Sequence, residues 1–378
     1  MTAAQARIEA ALADAVAAGI PGVSVAARLP DGSLVKAAAG VRTAGDAAPA
    51  TTDSVFWVAS CTKAVTTAAA LQLVEAGKLD LDAPVAPWLP MLAAPKRLDG
   101  FGEDGQPQLA PATTAITARH LLTHTSGLGY EFCNEALTRF VATVGPYPRG
   151  VGPDMPLLFE PGTGWAYGVG VDWAGKLVEA ISGEPLADYF QRHIFAPLGM
   201  KDTSFFPSAR LQARAVSMHQ RQPDGWAPIP FSLPETPHFG MGGGGLYSTS
   251  GDYLKFLDAI LRGGAPILSP ASVALMSEKQ WEGAEVGVLP AVNLSRCVGY
   301  DPFPGRVKRW GIGFVINPEP GPNGRAAGSL AWGGLGNCYY WADPASRVAG
   351  VFLAQYFPFG DPLALEAFGA FERAVYSG

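Results

Sequence analysis

Charged residues are scarce in this 378-residue chain. They make up 16% of it, against about 25% in an average globular protein, and 27 basic and 33 acidic residues leave a net charge of −6. No basic run occurs, so nucleic acid is not an expected partner. A run of about 18 mainly apolar residues, the length that spans a bilayer, is also missing. We therefore do not expect a membrane partner.

The chain has little that would bind a metal or a nucleotide. Its five His and four Cys form no H-E-x-x-H or C-x-x-C pattern, and no Walker loop occurs. Residues 240–245 match G-x-G-x-x-G, but they follow a Pro-rich segment instead of the buried strand that a dinucleotide site needs. We expect no metal and no cofactor. The scattered cysteines are expected to be reduced, buried thiols, at Cys61, Cys133, Cys297 and Cys338.

The first 20 residues predict a helix and not an export signal. A signal peptide needs an uninterrupted apolar stretch, whereas charged residues interrupt this segment at Arg7 and Asp14. Ile8, Leu12 and Val16 recur at helical spacing. We therefore expect a cytoplasmic protein.

Strand patterns concentrate at the two ends of the chain. Residues 23–29 and 34–39 flank a Pro-Asp-Gly-Ser turn, which predicts a hairpin. Near the other end, strands are predicted over 310–317, 328–333, 337–342 and 347–357, followed by a helix over 361–376. The segments between these ends carry a helical period, over 60–76, 117–123, 172–182, 186–195 and 251–261.

This distribution predicts an α+β fold with two domains. A length of 378 residues allows two or three domains of ~150 residues. In the predicted arrangement, residues 1–60 and 296–378 form an antiparallel sheet flanked by helices. Residues 61–295 form a mostly helical insertion, and the cleft between the two domains is where a site is expected.

The tetrad Ser60-Cys61-Thr62-Lys63 is an S-x-x-K pattern at the start of a predicted helix. Residues three apart share a helix face, so Lys63 can reach the Ser60 hydroxyl, and a helix N-terminus favours negative charge on that oxygen. A second S-x-x-K begins at Ser33, but on a strand such residues point to opposite faces. The tetrad alone leaves another interpretation open, in which Ser60 caps the helix and Lys63 is solvated.

The residues around Ser60 resemble the nucleophile helix of the serine β-lactamase superfamily. The resemblance rests on F-W-V-A-S-C-T-K (56–63), L-L-T-H-T-S-G-L (121–128), P-G-T-G-W-A-Y (161–167), P-L-G-M (197–200), G-G-G-G-L-Y-S-T (242–249) and W-G-G (332–334), in the family's order. It spans nearly the whole chain. Within the superfamily, the sequence is most similar to the class C-like branch, particularly the family VIII carboxylesterases, whose sheet-plus-helical fold agrees with the predicted arrangement.

The resemblance implies roles for individual residues. Ser60 and Lys63 match the family's nucleophile and its lysine, and Tyr167 matches the tyrosine of its Y-x-N motif. Backbone N–H groups of Ser60 and Leu335 would form the oxyanion hole. The candidate substrate-binding residues are Trp332, Gly333, Gly334, Tyr130 and Val169. Without the flanking P-G-T at 161–163, packing would be the favoured interpretation of Tyr167. A core position on its strand stays open for Trp332.

Two departures from the family pattern favour an ester substrate. Val169 stands where β-lactamases carry the amide-binding Asn, and Trp332 replaces the cation that meets a β-lactam carboxylate. We therefore expect a serine carboxylesterase that hydrolyses short to medium acyl esters through an acyl-enzyme on Ser60. The alternatives are an acyltransferase on the same scaffold, a β-lactam or D-amino peptide hydrolase, and a non-enzymatic penicillin-recognising homologue. The sequence leaves open which of Lys63 and Tyr167 is the general base, and the oligomeric state.

Overall fold

The computed structural model describes residues 2–145, 155–223, 225–231, 233, 240–281, 286 and 288–377. The strands are β1 (Gly22–Arg28), β2 (Leu34–Gly40), β3 (Phe56–Trp57), β4 (Lys96–Phe101), β5 (Pro107–Pro111), β6 (His219–Gln222), β7 (Gly225–Pro228), β8 (Tyr247–Ser248), β9 (Arg309–Trp310), β10 (Val315–Asn317), β11 (Ser329–Gly334), β12 (Cys338–Asp343), β13 (Val348–Leu353) and β14 (Tyr356–Phe357). The α-helices are α1 (Ala3–Ala17), α2 (Thr62–Glu75), α3 (Ala118–Leu122), α4 (Glu135–Val144), α5 (Gly170–Ser182), α6 (Leu186–Phe190), α7 (Ala196–Leu198), α8 (Ala209–Gln212), α9 (Ser250–Leu261), α10 (Pro270–Ser277) and α11 (Pro362–Tyr376).

A seven-stranded sheet joins the two ends of the chain. Its order is β2-β1-β13-β12-β11-β10-β9, and every neighbouring pair is antiparallel. The N-terminal hairpin meets the C-terminal strands where Ser24 pairs with Leu353. The predicted α+β fold, with an antiparallel sheet flanked by helices and formed from both chain ends, is confirmed.

Strand β12 shows why both faces of this sheet are covered. Successive side chains on a strand point to opposite faces. Trp341 packs against Phe371 of α11, whereas its neighbour Tyr340 contacts Tyr253 of α9. All six residues of β12 are buried. The central strands therefore lie between a layer of terminal helices and a second helical layer, which explains their almost entirely apolar sequence.

Two predicted strands are interrupted in the structure. The segment 310–317 is not one strand: β9 ends at Trp310, a turn closed by the Gly311 N–H donating to the Phe314 carbonyl follows, and β10 returns antiparallel. The segment 347–357 is also divided, since β14 leaves the main sheet and pairs in parallel with β6. Gln355 lies at that break, where its side-chain oxygen accepts from the Trp57 N–H at 2.8 Å. Tertiary contacts of this kind have no local sequence signal.

The segment between the chain ends holds most of the helices. It also contains pairs of short strands that the sequence did not predict, β4 with β5 and β6 with β7. The domain boundaries at 60/61 and 295/296 stay a prediction. None of the helices among the described residues combines the length and apolarity needed to cross a bilayer.

Candidate active site

Ser60 lies in a strained turn between a short strand and α2. Strand β3 pairs with β8, and a 3-10 turn over Ala59–Cys61 then leads into α2. Ala59 has a φ of 46°, a left-handed conformation that costs a non-glycine residue roughly 1–3 kcal/mol. Such strain is retained where the surroundings hold the turn in place; here the Thr62 hydroxyl donates to the Ala59 carbonyl at 2.6 Å.

Lys63 is buried beside the Ser60 hydroxyl. Its side chain is 1% exposed, and its Nζ lies 3.3 Å from Ser60 Oγ. The same Nζ lies 2.6 Å from the Gly243 carbonyl oxygen and 3.0 Å from Tyr130 Oη. Burial lowers the pKa of Lys63 to about 8, although the nearby Asp172 carboxylate favours the charged form. A neutral amine is therefore accessible near physiological pH.

Tyr167 also lies close to Ser60. Its hydroxyl accepts from Trp332 Nε1 at 3.0 Å. Burial raises the pKa of Tyr167 far above its usual value, and the neighbouring Ser60 hydroxyl and Trp332 N–H offset only part of that rise. The structure thus brings together Ser60, Lys63 and Tyr167, the three residues that the sequence proposed as catalytic.

Asp172 is a member of this cluster that the sequence analysis missed. It lies in the first turn of α5 and is 3% exposed. Its Oδ2 accepts from the Tyr130 hydroxyl at 3.2 Å, and its Oδ1 accepts from the Gly243 N–H at 2.9 Å. The one available signal is that Asp172 is the single charged residue in the run G-V-G-V-D-W-A-G at 168–175. Tyr130, proposed as a substrate-binding residue, connects this carboxylate to Lys63.

Strand β11 ends against the turn that carries Ser60. A Cβ on Gly334 would lie 2.2 Å from the Val58 carbonyl oxygen, so only glycine allows this approach. Leu335 follows directly and is partly buried against the small hydrophobic cluster that includes Trp57 and Ala59. Gly333 packs against the Tyr339 ring, which a Cβ would approach to 3.0 Å. The role of Ser60 and Leu335 as oxyanion donors stays a prediction.

The two residues that depart from the family pattern lie close to Tyr167. Trp332 is 2% exposed, with its indole ring centroid 5.0 Å from that of Tyr167. Val169 is the N-cap of α5 and partly buried. Trp332 therefore contacts the site from behind Tyr167. Direct contact of either residue with substrate stays a prediction.

The loop 121–128 supports the Tyr167 segment. His124 is buried with a φ of 59°. Its carbonyl oxygen accepts from the Ala166 N–H at 2.9 Å, and its Nδ1 accepts from the Gly168 N–H at 3.4 Å. Burial lowers the pKa of His124 well below its usual value, so the ring is neutral. These two hydrogen bonds are made by the residues immediately before and after Tyr167, and they fix its backbone.

A cavity of about 820 Å³ is lined by Trp57 and Gly245, which are close in sequence to Ser60 and Gly243. Ser60, Lys63 and Tyr167 do not line it. Much of its remaining surface is aromatic or aliphatic, with contributions from Phe205, Met218, Ile229, Phe231 and Tyr247. Its volume is in the range of pockets that bind drug-sized molecules.

The described residues offer no metal site. Within those ranges, no three His, Cys, Asp or Glu side chains are grouped so that they could hold an ion. The four cysteines are free and buried, as expected.

Comparison with known proteins identifies the family. The model of the beta-lactamase family matches residues 6–373. The chain is 35% identical over 346 residues to a monacolin J acid methylbutanoyltransferase of Aspergillus terreus, covering 87% of this chain and 83% of that one. It is also 35% identical over 341 residues to a lovastatin esterase of Penicillium rubens, with 84% of each chain covered.

A solved structure is similar over the full length. Unliganded simvastatin synthase from Aspergillus terreus superposes with a TM-score of 0.85 at 32% identity, covering 100% of this chain and 98% of that one. The similarity of sequence and fold extends well beyond the motifs around Ser60. The chain therefore belongs to the beta-lactamase family and is an enzyme.

Proposed function

We propose that the protein transfers a short acyl group from an ester or thioester, through an acyl-enzyme on Ser60, to a bulky apolar alcohol. The observation that carries this proposal is the position of Ser60 Oγ, 3.3 Å from Lys63 Nζ and close enough to Tyr167 to lower the pKa of its phenol. A serine becomes a nucleophile when a base within such reach accepts its proton.

The proposed reaction has two halves. Ser60 Oγ attacks the acyl carbonyl carbon as the Lys63–Tyr167 pair takes its proton, and the N–H groups of Ser60 and Leu335 hold the oxyanion. The leaving group then departs with that proton. In the second half, an acceptor hydroxyl loses its proton to the same pair and attacks the acyl carbon, which releases Ser60.

Two observations favour transfer over the hydrolysis that the sequence suggested first. The similar proteins include a methylbutanoyltransferase as well as an esterase. The cavity of about 820 Å³ is also much larger than a C2–C6 acyl chain requires, and many of its lining side chains are aromatic or aliphatic. An apolar acceptor gains about 25 cal/mol for each Å² of surface that it buries there, which lets it compete with water for the acyl-enzyme.

The experiment measures how the acyl-enzyme partitions. The enzyme is incubated with p-nitrophenyl butyrate and equal concentrations of menthol or ethanol. Nitrophenol release reports acylation, and chromatography separates the new ester from butyric acid. We expect ester formation with menthol to exceed that with ethanol by at least ~10-fold, from roughly 1.4 kcal/mol of additional burial.

A matched pair of variants locates the acceptor. Ala187 lines the cavity, and Ala187→Phe is expected to lower the ratio of menthol ester to acid. Ala10 is exposed on α1, so Ala10→Phe introduces the same side chain at a helix surface as the control. Butyric acid as the sole product with every alcohol would reject acyl transfer and return the assignment to a plain esterase. Absence of nitrophenol release would reject both activities.

A further inference from the structure

We propose that Asp172 and Tyr130 are positioning residues that orient the amine of Lys63 so that its lone pair faces Ser60, which makes Lys63 the base for the serine proton. The inference rests on the proposed function, because it takes Ser60 as the nucleophile. It assigns Tyr130 to the proton path, where the sequence had suggested only contact with substrate.

The first step is the direction of the hydrogen bond between Tyr130 and Asp172. Burial raises the pKa of Asp172, and the Lys63 amine, the Gly243 N–H and the Tyr130 hydroxyl oppose that rise by favouring the carboxylate. As a carboxylate, Asp172 only accepts hydrogen bonds. The Tyr130 hydroxyl therefore directs its one proton at Asp172 Oδ2, 3.2 Å away. Asp172 Oδ1 meanwhile accepts from the Gly243 N–H at 2.9 Å, which prevents the carboxylate from rotating. Tyr130 Oη then has only a lone pair to offer Lys63.

The second step follows from the contacts of Lys63. Its Nζ lies 2.6 Å from the Gly243 carbonyl oxygen, which can only accept, and 3.0 Å from Tyr130 Oη. A neutral amine has two hydrogens and one lone pair. Both hydrogens are used by these two acceptors, so the lone pair is left for the third neighbour, the Ser60 hydroxyl at 3.3 Å.

The third step is the proton transfer itself. As Ser60 Oγ forms its bond to the acyl carbon, its O–H bond breaks and a third N–H bond forms on Lys63. The carbonyl π pair moves to the carbonyl oxygen. The Lys63 ammonium then holds that proton on the side facing Ser60. From there Lys63 gives the proton to the leaving oxygen. Tyr167, whose hydroxyl accepts from Trp332, does not have to take the Ser60 proton in this step.

The isosteric variant Asp172→Asn tests this order directly. The Asn carbonyl oxygen has to face the Gly243 N–H, so its NH₂ group faces Tyr130 and donates. Tyr130 is then forced to donate its proton to Lys63 and occupies the lone pair. We expect kcat for p-nitrophenyl butyrate to fall at least ~10²-fold, the usual contribution of a general base, with KM little changed.

A second substitution reverses the expected defect. In Asp172→Asn/Tyr130→Phe, the hydroxyl that blocked the Lys63 lone pair is gone. The double variant should be more active than Asp172→Asn alone and close to Tyr130→Phe. A role in folding alone gives no reason for this recovery, because removing the Tyr130 hydroxyl restores no contact that Asp172→Asn has lost. A double variant as weak as the product of the two single losses would overturn the proposal, as would a fully active Asp172→Asn.

Asp343 supplies the matched control. It is also a buried aspartate that accepts from a tyrosine hydroxyl, Tyr376, at 2.9 Å, and from a backbone N–H, that of Ala326, at 2.9 Å. Asp343 is the last residue of β12, at the opposite end of that strand from Cys338. Asp343→Asn therefore measures how much stability is lost when such a carboxylate is neutralised away from Ser60. It should lower the Tm without the loss in kcat that is expected for Asp172→Asn.

Two further measurements keep the test decisive. If Asp172→Asn does not fold, Tyr130→Phe alone still separates the two roles of Tyr130. A lower kcat at unchanged KM supports positioning of Lys63. A raised KM at unchanged kcat means contact with substrate and overturns the proposal. The proposed function is checked separately by Ser60→Ala and by mass spectrometry of the acyl-enzyme. Loss of acylation in Ser60→Ala keeps Ser60 as the nucleophile whatever the outcome at Asp172.

Discussion

At the scale of single residues, Ser60, Lys63 and Tyr167 are proposed to act as one unit. We expect Ser60→Ala, Lys63→Ala and Tyr167→Phe each to lower kcat/KM for p-nitrophenyl butyrate at least ~10³-fold, with pairs losing little more than the worse single variant. Steady-state kinetics with circular dichroism as a check on folding measures this. A pair that loses the product of its single losses would contradict the shared role.

The second S-x-x-K provides the control for that experiment. Ser33 is exposed in the turn between β1 and β2, where its hydroxyl donates to Asp31 at 2.7 Å. Ser33→Ala should therefore be close to the unmodified enzyme. A large loss there would mean that the wrong tetrad had been chosen.

The buried amine of Lys63 also predicts how activity depends on pH. Its pKa is lowered by burial to about 8, and only the neutral amine can take the Ser60 proton. We therefore expect kcat/KM to rise with pH through about 8 and to fall about tenfold per unit below it. The ionisable groups around Lys63 are Asp172, Tyr130, Tyr167, Cys61, Cys133 and His124.

Those neighbours do not reverse the sign of the dependence. Burial raises the pKa of both tyrosines, so they stay protonated across this range, and His124 stays neutral because burial lowers its pKa. Rates of p-nitrophenyl butyrate turnover from pH 6 to pH 9.5, corrected for spontaneous hydrolysis, give the profile. A flat profile, or one that declines with rising pH, would contradict a neutral Lys63 as base.

At the scale of elements, the end of β11 sets the distance between the sheet and the nucleophile turn. A Cβ on Gly334 would meet the Val58 carbonyl at 2.2 Å, so Gly334→Ala must move Leu335 away from Ser60. If the N–H groups of Ser60 and Leu335 are the oxyanion donors, kcat should fall about 10²–10³-fold, the usual effect of losing one donor. Stopped-flow measurement of the acylation rate tests the effect on chemistry.

A helical glycine serves as the comparison. Gly369 lies inside α11, and a Cβ there meets only the ends of flexible side chains, at 3.2 Å and beyond. Gly369→Ala should leave kcat unchanged and alter the free energy of unfolding by no more than about 1 kcal/mol. Unchanged acylation in Gly334→Ala would remove Leu335 from the oxyanion hole.

The parts of this fold that could be predicted are those with a local signal. Ser60 and Lys63 are one helical turn apart, and the terminal strands are apolar runs bounded by turn residues, which makes them recognisable. The Lys63 environment has no such signal, because Tyr130, Asp172 and Gly243 come from three segments that meet only in the folded chain. The break in the predicted strand 347–357 was missed for the same reason, since β14 pairs with the sequence-distant β6.

At the scale of the whole molecule, the site should discriminate against β-lactams. Productive binding of a β-lactam needs partners for its amide and its carboxylate, and Val169 and the buried Trp332 supply neither a charge nor an amide. An unpaired amide costs ~1–3 kcal/mol, and an unpaired carboxylate costs more. We expect kcat/KM for nitrocefin to be at least ~10³-fold below that for p-nitrophenyl butyrate on the same preparation. Comparable values would show that these two positions do not decide the substrate class.

The pairing of β1 with β13 also governs when the sheet can form during synthesis. Ser24 leaves the ribosome more than 300 residues before its partner Leu353, so the edge of β1 that faces β13 stays open while most of the protein is made. Pairings this distant in sequence raise contact order and slow folding. An exposed strand edge is a template for association with other chains. We therefore expect the nascent chain to be most prone to association before β13 emerges, because this late strand fills the place between β1 and β12.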